Sequence, residues 1–173
     1  LTSANDFDTV ITTGGVIQIT DTDGIAIGAT TVNTSLAVTA GADITNTGVI
    51  SANTKTSTFD AGGNDVTLNA ANDFGTVILN NTVNATINDA DDIDLGAMAL
   101  TTLTVSSNGA ITDSDNISTS GTASFNSTGN AITLGDATTA NFGSVTLLGS
   151  AVTLTEASAT NFTGTSTITN TLS

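Results

Sequence analysis

The chain repeats its own sequence at a long and nearly constant interval. Residues 5–10 read NDFDTV, residues 72–77 read NDFGTV, and residues 140–145 read ANFGSV. The step from Phe7 to Phe74 is 67 positions, and the step from Phe74 to Phe142 is 68. A sequence with such a period is typical of a stack of equivalent layers, in which each layer contacts only its neighbours.

A shorter period lies inside the long one. Val16 to Leu36, Phe59 to Leu79 and Leu103 to Ala123 are each 20 positions apart. This step predicts a unit of about 20–22 residues, which would occur about eight times in the chain. Three units fit into each long repeat with about seven residues left over, so we expect some longer turns or one register slip per repeat.

The residue pattern predicts β-structure. Apolar residues alternate with polar ones in short segments such as Val16–Thr20 and Ala131–Leu134, which is the period of a half-buried strand. Pairs such as Gly14-Gly15 and Asn108-Gly109 separate these segments and accept the left-handed backbone of corners. Proline is absent, as expected where every strand donates its N–H groups to a neighbour.

Two all-β architectures fit this pattern, a two-sheet sandwich and a parallel β-solenoid (β-helix). The short strands and the 20-residue step favour the solenoid, with coils of about 20–22 residues stacked into a rod on the order of 40 Å long. We expect one solenoid segment over residues 1–173. It comprises about 2.6 sequence repeats, 1–67, 68–133 and a partial 134–173.

Charge limits the possible partners. Lys55 is the only basic residue against 16 acidic ones, and the net charge is −15. A chain with one cation cannot neutralise phosphates, so nucleic acids and anionic membrane surfaces are excluded as partners. The chain opens at Leu1 in the middle of a repeat phase, without methionine or a signal peptide, so we expect a portion of a longer protein.

Three segments carry a family resemblance: residues 61–79 (AGGNDVTLNAANDFGTVIL), 103–125 and 129–147. They resemble the repeats of filamentous-haemagglutinin-like adhesins exported by two-partner secretion, and of related β-strand-repeat bacterial surface proteins. The resemblance implies a right-handed parallel β-helix, secretion across the outer membrane and a location at the bacterial cell surface. It further implies a role as a surface fibre or adhesin shaft.

Catalysis has few candidate residues. His, Cys, Tyr, Trp and Arg are all absent, which excludes imidazole- and thiol-based nucleophile systems. Carboxylate pairs such as Asp6 and Asp8 remain, and a glycosidase uses such a pair. Because the chain lacks the aromatic platforms and cations that polysaccharide substrates usually require, we predict that it is not an enzyme.

Three acidic segments are candidate calcium sites, since hard divalent cations prefer clustered oxygen ligands. The alternative is that Asp occupies these corners for backbone reasons and for solubility. The candidate ligands of a structural Ca²⁺ are Asp21, Asp23, Asp89, Asp91, Asp92, Asp94, Asp113 and Asp115.

The sequence therefore predicts a structural segment of a secreted filament or adhesin stalk. Its partners would be copies of itself or flanking repeats of the same polypeptide, stacked end to end through open strand edges. Calcium at the aspartate corners would offset the repulsion between negatively charged rods. A host receptor or polysaccharide is a further possible partner, and a carbohydrate-binding or carbohydrate-degrading β-helix is the alternative function.

Overall fold

The structure of the protein is a computed structural model that describes residues 1, 3, 5–136 and 138–173. Ten strands follow one another along the chain. They are β1 (Thr9–Thr20), β2 (Ile25–Thr39), β3 (Ile44–Asn46), β4 (Ile50–Asp89), β5 (Ile93–Leu100), β6 (Thr102–Ser107), β7 (Ile111–Asp113), β8 (Ile117–Leu134), β9 (Ala140–Leu154) and β10 (Thr167–Leu172).

The strands wind into a parallel β-solenoid of about eight turns, which confirms the predicted fold class. Every pairing between the named strands is parallel, and each residue pairs with a residue 17–23 positions further along the chain. The 40-residue β4 is continuous because hydrogen bonding persists around the corners of the coil. No helix occurs in the described part of the chain, and hence none that could span a membrane.

A thin apolar core runs along the axis of the rod. Alternate residues of each strand point inward, and the buried Val, Ile, Leu, Ala and Phe side chains form one continuous cluster. Aromatic rings pack between coils at two levels. The Phe59 and Phe74 rings meet edge to face at 6.1 Å, and the Phe125 and Phe142 rings are 5.5 Å apart.

The sequence repeat and the coil do not coincide. Thr9 pairs with Ala26, Ala26 with Thr45, and Thr45 with Thr67, so three coils carry the chain from position 9 to position 67. The sequence repeat, measured from Phe7 to Phe74, is nine positions longer than these three coils, which adds about half a coil. The interpretation of three coils per repeat is therefore wrong, and the repeat spans about three and a half.

Equivalent residues of successive repeats consequently lie on different sides of the rod. Val16, Ser35 and Thr56 pair with one another on one side of the rod, and Ile17 lies on that side and not on the side of Thr9. Its counterpart Asn84 lies instead over the Thr9 side, where its backbone N–H donates to Asp65, two residues before Thr67. The same sequence motif thus faces alternate directions along the rod.

Candidate functional site

The Asn-Phe signature of the repeat forms a contact between coils that recurs three times. The backbone N–H of Phe7 donates to Asp21 at 2.8 Å, that of Phe74 to Asp89 at 2.8 Å, and that of Phe142 to Glu156 at 2.8 Å. We call this contact the carboxylate clamp. A carboxylate that accepts a backbone N–H makes a charge-assisted hydrogen bond, which is stronger than a neutral one.

A backbone hydrogen bond accompanies each clamp. Two residues before each phenylalanine, the carbonyl of Asn5, Asn72 or Ala140 accepts the N–H of the residue that follows the carboxylate, and these three bonds are 2.7–2.9 Å long. Glu156 escaped the sequence reasoning because it is the only glutamate. Its separation of 67 positions from Asp89, equal to the step from Phe7 to Phe74, is the signal that could have found it.

Asn72 is the best-satisfied polar side chain of the second repeat. It is fully buried, and its Oδ1 accepts from Asn46 Nδ2 at 2.7 Å and from the Ile50 N–H at 3.0 Å. Its Nδ2 donates to the carbonyls of Leu68 and Asn88, among others. Because these partners belong to the coils before and after it, Asn72 joins three consecutive coils.

Asp89 is almost completely buried, at 1% exposure. Burial raises the pKa of its carboxyl to about 7 from the ordinary 3.8, although the N–H groups of Phe74 and Asp91 lower the pKa by donating hydrogen bonds. Asp73, on the outside of the preceding coil, also has a raised pKa, first through burial and then through the negative charge of Asp91. The carboxyl groups of Asp73 and Asp89 therefore bind protons more tightly than the carboxyl group of a free aspartate does.

The first clamp has a similar acidic neighbourhood. The pKa of the exposed Asp23 is raised, first by a hydrogen bond with the Asp21 side chain, and also by the negative charges of Asp6 and Asp21. The second oxygen of Asp21 is buried without a hydrogen-bond partner in the described part of the chain.

The other predicted calcium ligands of the second repeat also accept hydrogen bonds. Asp91 accepts from Asn53 at 3.2 Å, and Asp92 from the Ala110 N–H at 2.6 Å. Asp94 accepts from the hydroxyls of Thr76 and Ser114 at 2.9 and 2.6 Å. The donors to Asp92 and Asp94 lie in neighbouring coils and Asn53 lies two coils before Asp91, so these carboxylates tie the stack together.

The last predicted pair is divided between two environments. Asp113 is buried and accepts from the Gly135 N–H at 2.9 Å and from the Thr138 hydroxyl at 2.6 Å. Asp115 is exposed and accepts from the N–H of Asn116 at 2.7 Å. Among the described residues, no group of three or more acidic side chains is placed to hold a metal ion. Calcium binding at these corners stays a prediction.

The two ends of the rod are open. At the first coil, β1 pairs with β2 alone, and Ile11 and Val16 on β1 are 74% and 64% exposed. At the last coil, β10 pairs with β9 alone, and Leu172 is 55% exposed. Leu1 and Asn5 form hydrogen bonds with Gln18 and Thr20 at the end of the β1 edge, whereas the rest of that edge and the outer edge of β10 pair with no further named strand.

Two adjoining segments of the chain, residues 13–81 and 82–149, match the family described as repeats of unknown function (DUF5649). The chain belongs to the DUF5649 family. No curated protein and no solved structure matches it. The resemblance to filamentous-haemagglutinin-like proteins is shown only to the extent that the chain is a repetitive β-solenoid protein, and the specific relationship stays a prediction.

The boundaries of the DUF5649 repeats fall beside the carboxylate clamps. The first repeat begins at residue 13, before Asp21, and the second begins at residue 82, before Asp89. The carboxylate thus stands near the start of a repeat, and it binds the phenylalanine N–H that precedes that start. The Phe74–Asp89 clamp is consequently a contact between the two matched repeats as well as between adjacent coils.

Proposed function

We propose that the chain is a structural segment of a secreted bacterial surface filament or adhesin stalk, in which solenoid coils stack end to end. One observation carries the proposal. An inward-facing ladder of apolar residues continues through the last coils and ends at an uncovered rung. Each member pairs with the member in the next coil along the axis of the rod. The members, in order, are Ile93, Ile111, Ile132, Val152 and Leu172.

The burial of this ladder changes abruptly at its end. The first four rungs are at most 1% exposed, whereas Leu172 is 55% exposed. Covering a leucine side chain contributes roughly 1.5–3 kcal/mol. A further coil above β10 would bury Leu172 and pair the free edge of the strand in the same step. The first coil of another copy would supply it.

The first coil offers a complementary edge. Before Gln18, the outer edge of β1 pairs with no other named strand, whereas Gln18 and Thr20 already bond to Leu1 and Asn5. A small cavity of about 190 Å³ beside this edge is lined by Leu1, Val16 and Ile17, among others. Stacking one end on the other is a heterologous contact that does not close, so it propagates as a fibre. The net charge of −15 opposes association at low ionic strength, and screening by salt relieves that repulsion.

A stalk also accounts for the distribution of polar contacts. The carboxylate clamps, Asn72 and the bonds to Asp94 all join one coil to the next. These contacts stiffen the rod along its axis, and the clamp recurs from repeat to repeat. A support element needs such uniform reinforcement, and for this reason we propose a structural and not an enzymatic role.

The test is the length distribution of the chain in solution and by electron microscopy, at a salt concentration that screens its charge. We expect concentration-dependent, rod-shaped oligomers. Leu172→Asp should abolish them, because it places a charge at the end of the core ladder. Val49→Asp is the matched control, since Val49 is 42% exposed and lies away from both ends. A strictly monomeric wild-type chain would contradict stacking between copies.

The cellular location is tested separately. Antibodies against the chain should label intact cells of its source, and protease added outside those cells should remove the label. Labelling that requires permeabilised cells would contradict a surface role.

A further inference from the structure

A groove of about 830 Å³ runs along one side of the rod. The groove crosses four consecutive coils. Asn81 Nδ2 donates to Asp60 in the coil that contains Gly62 and Gly63. Leu79 pairs with Met98 in the next coil, and Met98 pairs with Ile117 in the coil after that. Its lining includes Gly62, Gly63, Asn80, Asn81, Thr82, Val83, Ala97, Ala99, Asp115, Asn116 and Ser118.

Small side chains create this depression. Leu79 and Met98 form a buried apolar floor at 3% and 4% exposure, and the alanines on either side of Met98 leave the space above them empty. At the rim, Asn81 adopts a left-handed backbone with φ of 44°, which turns the chain outward. The groove is therefore built by the local sequence of the coils and is not a gap between mobile loops.

The same segment of the repeat lines the groove and the small cavity at the first coil. Leu79, Asn80, Asn81 and Val83 line the groove, and their counterparts 67 positions earlier line the smaller cavity at the first coil. Those counterparts are Thr12, Thr13, Gly14 and Val16. The smaller cavity is also lined by the core residues Val10, Ile17 and Ile19 and lies at the open face of the first coil, whereas the groove lies on the side of the rod.

The lining is mixed in chemistry. Apolar contact is available from Val83, which is 39% exposed, and from the exposed Ala99. The polar part of the lining includes the side-chain amides of Asn80 and Asn116 and the hydroxyl of Ser118. An amide both donates and accepts hydrogen bonds. The one charged residue of the lining is Asp115, on a chain of net charge −15, which disfavours anions.

An extended peptide does not suit this groove. The groove runs across the strands, and the strand β5 at its centre is paired on both sides, with β4 and with β8. No free strand edge is therefore available there for a peptide to pair with, and strand addition is the way in which extended peptides usually bind sheets.

We infer that this groove is a binding site for an uncharged oligosaccharide, with its hydroxyls on the rim amides and its C–H faces on Val83 and Ala99. Without an aromatic platform, each groove binds weakly. The site is independent of whether copies stack.

The test uses NMR titration of the ¹⁵N-labelled chain with neutral hexasaccharides, namely β-1,4-linked glucose, α-1,4-linked glucose and β-1,4-linked N-acetylglucosamine, and with polygalacturonate as the anionic control. We expect at least one neutral hexasaccharide to shift the signals of Asn80, Ala97 and Ala99. Ala99→Leu, which fills the groove, should weaken binding at least tenfold, and Asn80→Ala severalfold.

The controls are Ala90→Leu and Asn33→Ala, the same changes at exposed positions outside the groove. Both should bind as the wild type does. The inference is overturned if no neutral hexasaccharide shifts the groove signals, if polygalacturonate shifts them equally, or if Ala99→Leu binds as tightly as Ala90→Leu. Thermal melts of all four variants check that each is folded. Oligomer length, which tests the stalk function, is measured apart from this titration.

Discussion

The backbone N–H of Phe74 donates a 2.8 Å hydrogen bond to the carboxylate of Asp89, one coil further along the rod. Asp89 is almost completely buried, and its pKa is raised to about 7 by that burial. The clamp therefore couples the contact between two coils to the protonation of a single carboxyl group.

The first prediction is that stability falls as the pH rises through this range. A carboxyl whose pKa is higher in the folded chain than in the unfolded chain binds its proton more tightly when folded. Its contribution is fully present below about pH 3.8 and is lost as the pH rises through about 7. Urea denaturation across this range should show a declining free energy of unfolding.

Asp89→Asn should flatten that decline, because asparagine keeps an oxygen acceptor for the Phe74 N–H but does not titrate. Asp136→Asn, at an exposed position, is the control and should leave the slope unchanged. Identical slopes in the Asp89→Asn variant and the wild type would show that other carboxylates cause the pH dependence.

The second prediction concerns Asn72. Asn72→Ala removes the acceptor of the Ile50 N–H and the donor to the Asn88 carbonyl, and the vacated site is fully buried. A buried polar group without a partner costs about 1–3 kcal/mol, so we expect a loss of about 3 kcal/mol or more in the free energy of unfolding. Asn69→Ala, at an exposed position two residues from Thr67, should change stability by less than about 0.5 kcal/mol. Equal losses of unfolding free energy in the two variants would contradict the stabilising role of the buried Asn72 hydrogen bonds.

The solenoid was predictable from the sequence because period and alternation are properties of the chain itself. The clamps were not, because each joins residues 14–15 positions apart whose proximity depends on the length of one coil. Asn72 resembles the other corner asparagines in sequence, and only the stacking of coils shows that it is buried. The half-coil offset was missed for a related reason: corner lengths vary from coil to coil, so the coils cannot be counted from a mean period.

The third prediction compares two phenylalanines. Phe125 is fully buried against Phe142, whereas Phe162, two coils further along, is 47% exposed. Phe125→Ala leaves a cavity in the thin core and should cost about 3–5 kcal/mol. Phe162→Ala should cost clearly less, since half of its surface already faces solvent. Both values come from urea unfolding at one pH, and similar losses would indicate that the terminal coil is as tightly packed as the centre.

The fourth prediction is the calcium dependence that the acidic corners suggest. Asp91 and Asp94 belong to the densest acidic segment, and the pKa of neighbouring Asp73 is raised first by burial and then by the negative charge of Asp91. A divalent cation bound there would relieve this repulsion, so millimolar calcium should raise the melting temperature more than sodium chloride of equal ionic strength, and a chelator should reverse the effect. Asp91→Asn combined with Asp94→Asn should abolish the excess, while Asp136→Asn should preserve it. If calcium and sodium raise the melting temperature equally, the cations act by screening alone, and the aspartates serve only as hydrogen-bond acceptors between coils.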